Sequence, residues 1–207
     1  MCSVIHNIVD GNKLCLSKCV RSDKKLFDLS LQALKNKNMI PVLAFPQKEL
    51  TKLNLSFTHM TRKIVNKKCN EKFSQGKDKI FFKSNDNIKT QSGFIYVGCP
   101  IISYKNNKKY DIYNNQTFDI TRIDKKKKTF YIMIEGKEEE FKVSEFSNQF
   151  LLAFCITIHC SQGQTYSEKY TIYDWNHPRF NKKLAYVALS RSTKYEYIQI
   201  NEREFRE

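Results

Sequence analysis

Two short segments carry residue types that can do chemistry together. Thr157-Ile158-His159-Cys160-Ser161-Gln162-Gly163-Gln164-Thr165 gathers hydroxyls, an imidazole, amides and a glycine at the end of an apolar run, and Tyr186-Val187-Ala188-Leu189-Ser190-Arg191 finishes an apolar stretch on one arginine. Hydroxyl, imidazole and amide groups can hold a phosphodiester backbone without reading its bases, and a glycine lets the main chain come close. A guanidinium is a planar, permanently charged fork suited to phosphate oxygens. Taken one at a time, each has a plainer account: Arg191 as a cation at a helix C-terminus, His159 as a hydrogen-bonded polar residue.

These groups need elements to hold them. Phe150 to Ile158 is apolar without polar alternation through its centre, the pattern of a segment buried on both faces, and it delivers the Thr157–Thr165 cluster where α/β sheets place ligands. Lys182 to Arg191 has helical spacing of Leu184, Val187, Ala188 and Leu189, flanked by strand-like Lys169 to Asp174 and Tyr195 to Ile200. Nearer the N-terminus, Lys13 to Leu16 reads as a strand. Ser22-Asp23 then caps a helix that carries Leu26, Phe27, Leu29, Leu31 and Leu34 toward a core and ends at Asn36-Lys37-Asn38. After Pro41 and Pro46, Leu53 to Phe57 is a strand, and Thr58 opens a helix with Ile64, Val65 and Cys69 on one side. The middle changes character. Phe94 to Ser103, Gln116 to Ile123, Thr129 to Ile134 and Glu138 to Val143 are short β-rich runs, with Glu135-Gly136-Lys137 as a hairpin turn, and they suggest a small barrel or meander inserted in an α/β domain. The run Lys125 to Lys128 reads as a solvated turn between two of these strands, with phosphate contact as the other reading.

With 207 residues the chain has room for one domain with a small insertion. It contains 36 Lys and Arg against 21 Asp and Glu, a formal charge of +15, which favours polyanionic partners and puts nucleic acid first among them. No apolar stretch is long enough to span a membrane and the start lacks a signal-peptide pattern, so the expected setting is intracellular: cytoplasm, nucleus or a viral replication site. Seven cysteines without a framework suit a reducing compartment. Cys15 and Cys19, or Cys155 with His159 and Cys160, lack a second ligand pair, so no metal site is expected. A phosphate-cradling P-loop is also missing, because only Gly93 and Gly98 have its glycine spacing and Cys99-Pro100 follow them. Thr171 to Asp174 superficially looks like a magnesium-binding strand but has no such partner.

Taken together, the segments resemble superfamily 1 DNA helicases of the RecD-like and Pif-type group. Thr157–Thr165 is similar to motif V of that family and Tyr186–Arg191 to motif VI. Lys18–Phe27, with Arg21, resembles the segment of motif IV; Leu55–Thr61, running to Asn66, resembles a family strand and helix; Val97–Ile101 and Tyr113–Gln116 resemble its inserted SH3-like barrel. The implied fold is α/β, a RecA-like parallel-sheet domain with an inserted small SH3-like β-barrel. Its implied parts are residues 1–90 and 148–207 of the second RecA-like domain around a barrel at 91–147. The resemblance also implies that Arg21, Arg191, Gln162 and Gly163 face nucleotide, with Arg21 and Arg191 catalytic and Arg191 acting as an arginine finger. Thr58, His59, Thr157, His159, Ser161, Gln162 and Thr165 would face single-stranded DNA. Two positions depart from the pattern: Cys160 stands where Lys is common and His59 where Asn is common.

The chain therefore resembles the C-terminal half of a motor. ATP and Mg²⁺ are expected only when an N-terminal half bearing a P-loop completes the site in trans, with 5′ to 3′ movement on DNA implied by the family. A non-catalytic module that binds single-stranded nucleic acid is the second expectation, and a remnant kept for protein contacts the third.

Overall fold

The computed structural model describes residues 22–202. Arg21 and the strand expected at Lys13 to Leu16 lie outside the described residues. Four strands form a parallel sheet: β1 (Leu53–Ser56), β9 (Cys155–Thr157), β10 (Tyr170–Ile172) and β11 (Ile198–Ile200), in the order β11-β10-β1-β9. Five form an antiparallel sheet: β4 (Pro100–Ser103), β5 (Thr117–Asp124), β6 (Thr129–Ile134), β7 (Lys137–Lys142) and β8 (Phe150–Leu152), in the order β7-β6-β5-β4-β8. A separate antiparallel pair joins β2 (Ile80–Phe82) to β3 (Gly93–Ile95).

Along the parallel strands, side chains alternate between two faces. One face is apolar: Leu55, Ile156, Tyr170, Ile172, Ile198 and Ile200 share a core with helix α1 (Lys24–Lys35) and helix α4 (Lys182–Leu189), the short α3 (Phe146–Gln149) leading into β8. Each fully buried aliphatic side chain here is worth roughly 1.5 to 3 kcal/mol. The opposite face presents Asn54, Ser56, Thr157 and Thr171, all buried, and helix α2 (His59–Phe73) packs toward it through Val65 and Cys69. Polar groups on this face are hydrogen-bonded, as burial requires. Thr51 Oγ1 lies 2.8 Å from both Asn54 Oδ1 and Thr171 Oγ1, and Asn54 Nδ2 donates to the Phe154 carbonyl at 2.8 Å.

Asp23 is the N-cap of α1, its carboxylate accepting from Leu26 N, as Ser22-Asp23 suggests. The helix buries Leu26, Leu29, Ser30 and Ala33. Leu31 and Leu34, expected to face the core, are 39% exposed, because the 3.6-residue period turns them away from that stripe. Thr58 caps α2 as expected, accepting from Thr61 N at 3.1 Å. Glu135 and Gly136 form the two-residue link between β6 and β7, both with positive φ, the geometry that glycine favours in tight hairpins.

The apolar run Phe150 to Ile158 is not one strand. Its first part, β8, pairs antiparallel with β4, and its second, β9, pairs parallel with β1. Ala153 and Phe154 make the crossing: Ala153 N donates to the Pro100 carbonyl at 2.9 Å, while the Phe154 carbonyl accepts from Asn54. The run is buried throughout its centre because it is core to both sheets.

Candidate nucleic-acid interface

β1 and β9 run side by side in parallel register, Ser56 opposite Thr157, and Ile158 N donates to the Ser56 carbonyl at 2.9 Å. Whatever follows each strand therefore emerges on the same edge, the carboxyl edge where open α/β sheets take ligands. Thr58 and His59 follow β1; His159, Ser161, Gln162, Gly163 and Thr165 follow Thr157 of β9. Of the residues singled out in the sequence, these eight share that edge or the loop leaving it, while Arg191 bonds to carbonyls of that loop.

The turn after β9 is tightly wound. Ser161 N donates to the Thr157 and Ile158 carbonyls at 3.2 and 3.3 Å, and Ser161 Oγ donates to the Ile158 carbonyl at 2.8 Å. Cys160 N donates to Thr157 Oγ1 at 3.4 Å, and that hydroxyl donates to Cys160 Sγ at 3.1 Å. Thr157 and Ser161 are buried and spend their hydroxyls inside the turn, whereas His159, Gln162, Gly163 and Thr165 are exposed. Gly163 has φ +89°, left-handed backbone in which a side chain is strained.

Arg191 lies just beyond α4 and is only 9% exposed. Its Nε donates to the Val187 carbonyl at 3.0 Å, Nη1 to the Ser161 and Gln164 carbonyls at 3.4 and 3.2 Å, and Nη2 to Ser190 Oγ at 3.0 Å. Tyr166 N returns a bond to the Arg191 carbonyl at 2.7 Å. One guanidinium thus ties the end of α4 to the turn after β9.

Asp174 is a positioning residue that the sequence did not reveal. At the end of β10 its backbone turns left-handed, φ +61°, and its carboxylate reaches the start of α2. Oδ2 accepts from Phe57 N at 3.0 Å, Thr58 N at 2.9 Å and Thr58 Oγ1 at 3.2 Å, and Oδ1 from Thr61 Oγ1 at 2.6 Å. A carboxylate at a helix N-terminus satisfies open N–H groups and complements the helix dipole. Asn66 acts similarly at β9, an edge of the parallel sheet: its amide donates to the Cys155 carbonyl at 2.8 Å and accepts from Cys155 N at 2.9 Å, standing in for a missing neighbouring strand.

The edge is electropositive around His59. Partial desolvation of the imidazole first, then Arg62, Lys89 and Lys63, hold it below the ordinary histidine range although the residue keeps an exposed surface. Arg62 is buried and donates to the Lys89 carbonyl, while its Nε has no hydrogen-bond partner among the described residues. Desolvation raises the thiols of Cys155 and Cys99, and pushes Cys69 up to about 12. Among the described residues no group of three or more His, Cys, Asp and Glu could hold a metal ion. The Asp174 carboxylate accepts four hydrogen bonds from the start of α2. No helix of the described residues is long and apolar enough to cross a membrane.

No family model and no curated protein matches this sequence. Solved structures do. A structure of two coordinating Pif1 helicases on forked double-stranded DNA aligns at TM-score 0.62 and 19% identity, covering 88% of this chain and 48% of that one. Bacteroides Pif1 bound to single-stranded DNA aligns at 0.60 and 16%, covering 88% and 50%. The Candida albicans Pif1 helicase aligns at 0.60 and 17%, covering 90% and 55%. The chain spans about half the length of the structures it matches. Its mixed architecture of parallel and antiparallel sheets is similar, over nearly all of its length, to part of a Pif1 helicase.

Proposed function

We propose that this chain is the C-terminal motor domain of a superfamily 1 DNA helicase. The domain grips single-stranded DNA at the carboxyl edge of its parallel sheet and moves 5′ to 3′ with an N-terminal half that brings the P-loop in trans. The antiparallel sheet is read as the SH3-like insertion. The observation that carries the proposal is the shared edge of β1 and β9, which sets Thr58 and His59 beside the Thr157–Thr165 turn with Arg191 bonded to its carbonyls. The net charge of +15 and fold similarity to Pif1 structures that hold single-stranded DNA support it.

Exposed His159, Gln162, Thr165 and His59 meet the strand in this reading, while buried Thr157 and Ser161 fix the turn and Thr58 fixes the start of α2. By the family resemblance Gln162, Gly163, Arg191 and Arg21 are assigned to nucleotide at the junction with the other half, a role that requires Arg191 to leave the loop carbonyls it bonds here. In this reading ATP and Mg²⁺ come with that other half, since the sequence carries no P-loop pattern of its own. Adding a P-loop-bearing half is expected to produce DNA-stimulated ATP hydrolysis that Arg191→Ala abolishes, since arginine fingers are worth about 10³ to 10⁵ in rate. Absence of hydrolysis with the cognate half overturns the motor reading.

A second reading, a single-strand binding module without a motor, is favoured by one observation: the Arg191 guanidinium is spent on loop carbonyls rather than exposed. It predicts strand affinity indifferent to nucleotide.

A further inference from the structure

Beyond the sheet edge, the molecule has a second surface with the chemistry of a single-strand contact. Phe82 packs into the core with its ring 4.1 Å from that of Phe146, so strand alternation turns Phe81 outward, where it is 58% exposed. Beside it opens a groove of about 790 Å³ between β2 and the ends of β6 and β7, lined by Lys83, Lys127, Lys128 and Lys142 and by no acidic residue. All four lysines are exposed, and among the described residues none forms an ion pair within 4 Å. In the same turn Lys125 is paired with Asp78, so the turn is only partly neutralised.

The groove is built rather than frayed. Ser147 Oγ donates to the Lys83 carbonyl at 2.7 Å, Val143 N to the Lys128 carbonyl at 3.0 Å, and Lys142 stands opposite Thr129 in the ladder. Lys128 holds φ +53°, left-handed backbone where glycine or asparagine is the cheaper residue.

We propose that this groove binds single-stranded nucleic acid, stacking a base on Phe81 while Lys83, Lys127, Lys128 and Lys142 hold the flanking phosphates. An exposed ring among unpaired cations fits alternating bases and phosphates, the pattern of strand-binding surfaces, better than an acidic peptide, which has no planar group to stack. The position extends the strand-binding reading above, on which the ligand's identity rests. Asn70, in the last turn of α2, bonds both main-chain groups of Phe94 in β3, placing the β2–β3 pair toward the end of that helix opposite Thr58 and His59, about 17 Å away by helix rise. The segment after Lys83 returns along α2, held by Arg62 on the Lys89 carbonyl and by Gln91 Nε2 on the Lys63 carbonyl at 3.2 Å. Lys89 and Lys63 therefore lie between the groove and the sheet edge.

The test is fluorescence anisotropy of the full chain with an oligothymidylate of about 30 nucleotides, longer than the roughly 4 to 16 that one strand-binding module spans. Phe81→Ala is expected to weaken binding about 5-fold or more, and Phe81→Trp to preserve it. Lys127→Ala with Lys128→Ala should lower the slope of log affinity against log salt by about 1.4, at about 0.7 per phosphate contact. Phe81→Ala binding as tightly as the parent, with unchanged secondary structure by circular dichroism, overturns the groove. His159→Ala without effect would instead overturn the sheet-edge reading, and no binding by the parent overturns both. Displacement of the strand by polyglutamate in a manner insensitive to Phe81→Ala assigns the groove to acidic peptides and overturns the proposal.

Discussion

Arg191 Nη1 donates to the carbonyl of Gln164 at 3.2 Å, so a residue after α4 closes the loop that follows β9. The contact joins two segments that the sequence separates by 27 positions.

Removing this tie should be felt as stability before it is felt as chemistry. Arg191→Ala leaves the Ser161, Gln164 and Val187 carbonyls without their cationic donor, and hydrogen bonds to charged groups are worth about 1.5 to 3 kcal/mol. A loss of about 2 to 3 kcal/mol is expected in urea unfolding, with Arg191→Lys recovering part of it. An unchanged midpoint and slope would show that the guanidinium holds nothing in place.

Asp174→Asn should loosen the start of α2. The neutral amide cannot serve every donor that the carboxylate accepts, and the favourable charge at the helix N-terminus is lost, for a cost of about 1 to 2 kcal/mol. Hydrogen exchange should rise first at Phe57 and Thr58, whose amides donate to Asp174.

His59 gives a pH signature. Its folded pKa lies below the unfolded value, so the unfolded chain takes up a proton at higher pH than the folded one. Its contribution to stability is present above the ordinary histidine pKa and is lost as pH falls through the depressed folded value. His59→Ala should flatten that part of the stability profile measured by thermal unfolding between about pH 7 and pH 5.

Thiol reactivity should sort by environment. Cys69, Cys99 and Cys155 are buried and desolvation raises all three thiols, whereas Cys160 is partly exposed at the proposed strand edge. Among these four, iodoacetamide at neutral pH should label Cys160 first, read by peptide mass spectrometry, and saturating oligothymidylate should slow it. Labelling of Cys160 at an unchanged rate with the strand bound would place the strand elsewhere.

Much of the frame was legible because it rests on local rules. Thr58 and Asp23 cap helices where their residue types and the following periodicity say they should, and the Glu135-Gly136 turn follows from its glycine. Phe150 to Ile158 is buried as its apolar run indicates, but its crossing from one sheet to the other was not legible, because burial in two sheets leaves the same signature as burial in one. Leu31 and Leu34 read as inward on hydrophobicity alone, although the period of the helix points elsewhere. Asp174 and Asn66 were illegible in their roles, since their partners lie 113 to 117 and 89 positions away and only the fold brings them together. The edge carrying Thr157 and His159 was visible as a cluster of residue types; its alignment with Thr58 and His59 needed the parallel register of β1 and β9.

The crossing at Ala153 and Phe154 has a mechanical consequence. Because β8 and β9 are separated by two residues, Ala153 bonded to the Pro100 carbonyl and Phe154 to the Asn54 side chain, a displacement of the antiparallel sheet pulls directly on the strand that ends in Thr157. There is no slack to absorb it, so load on one half of the molecule reaches the other through a few covalent bonds, as tension in a short tether.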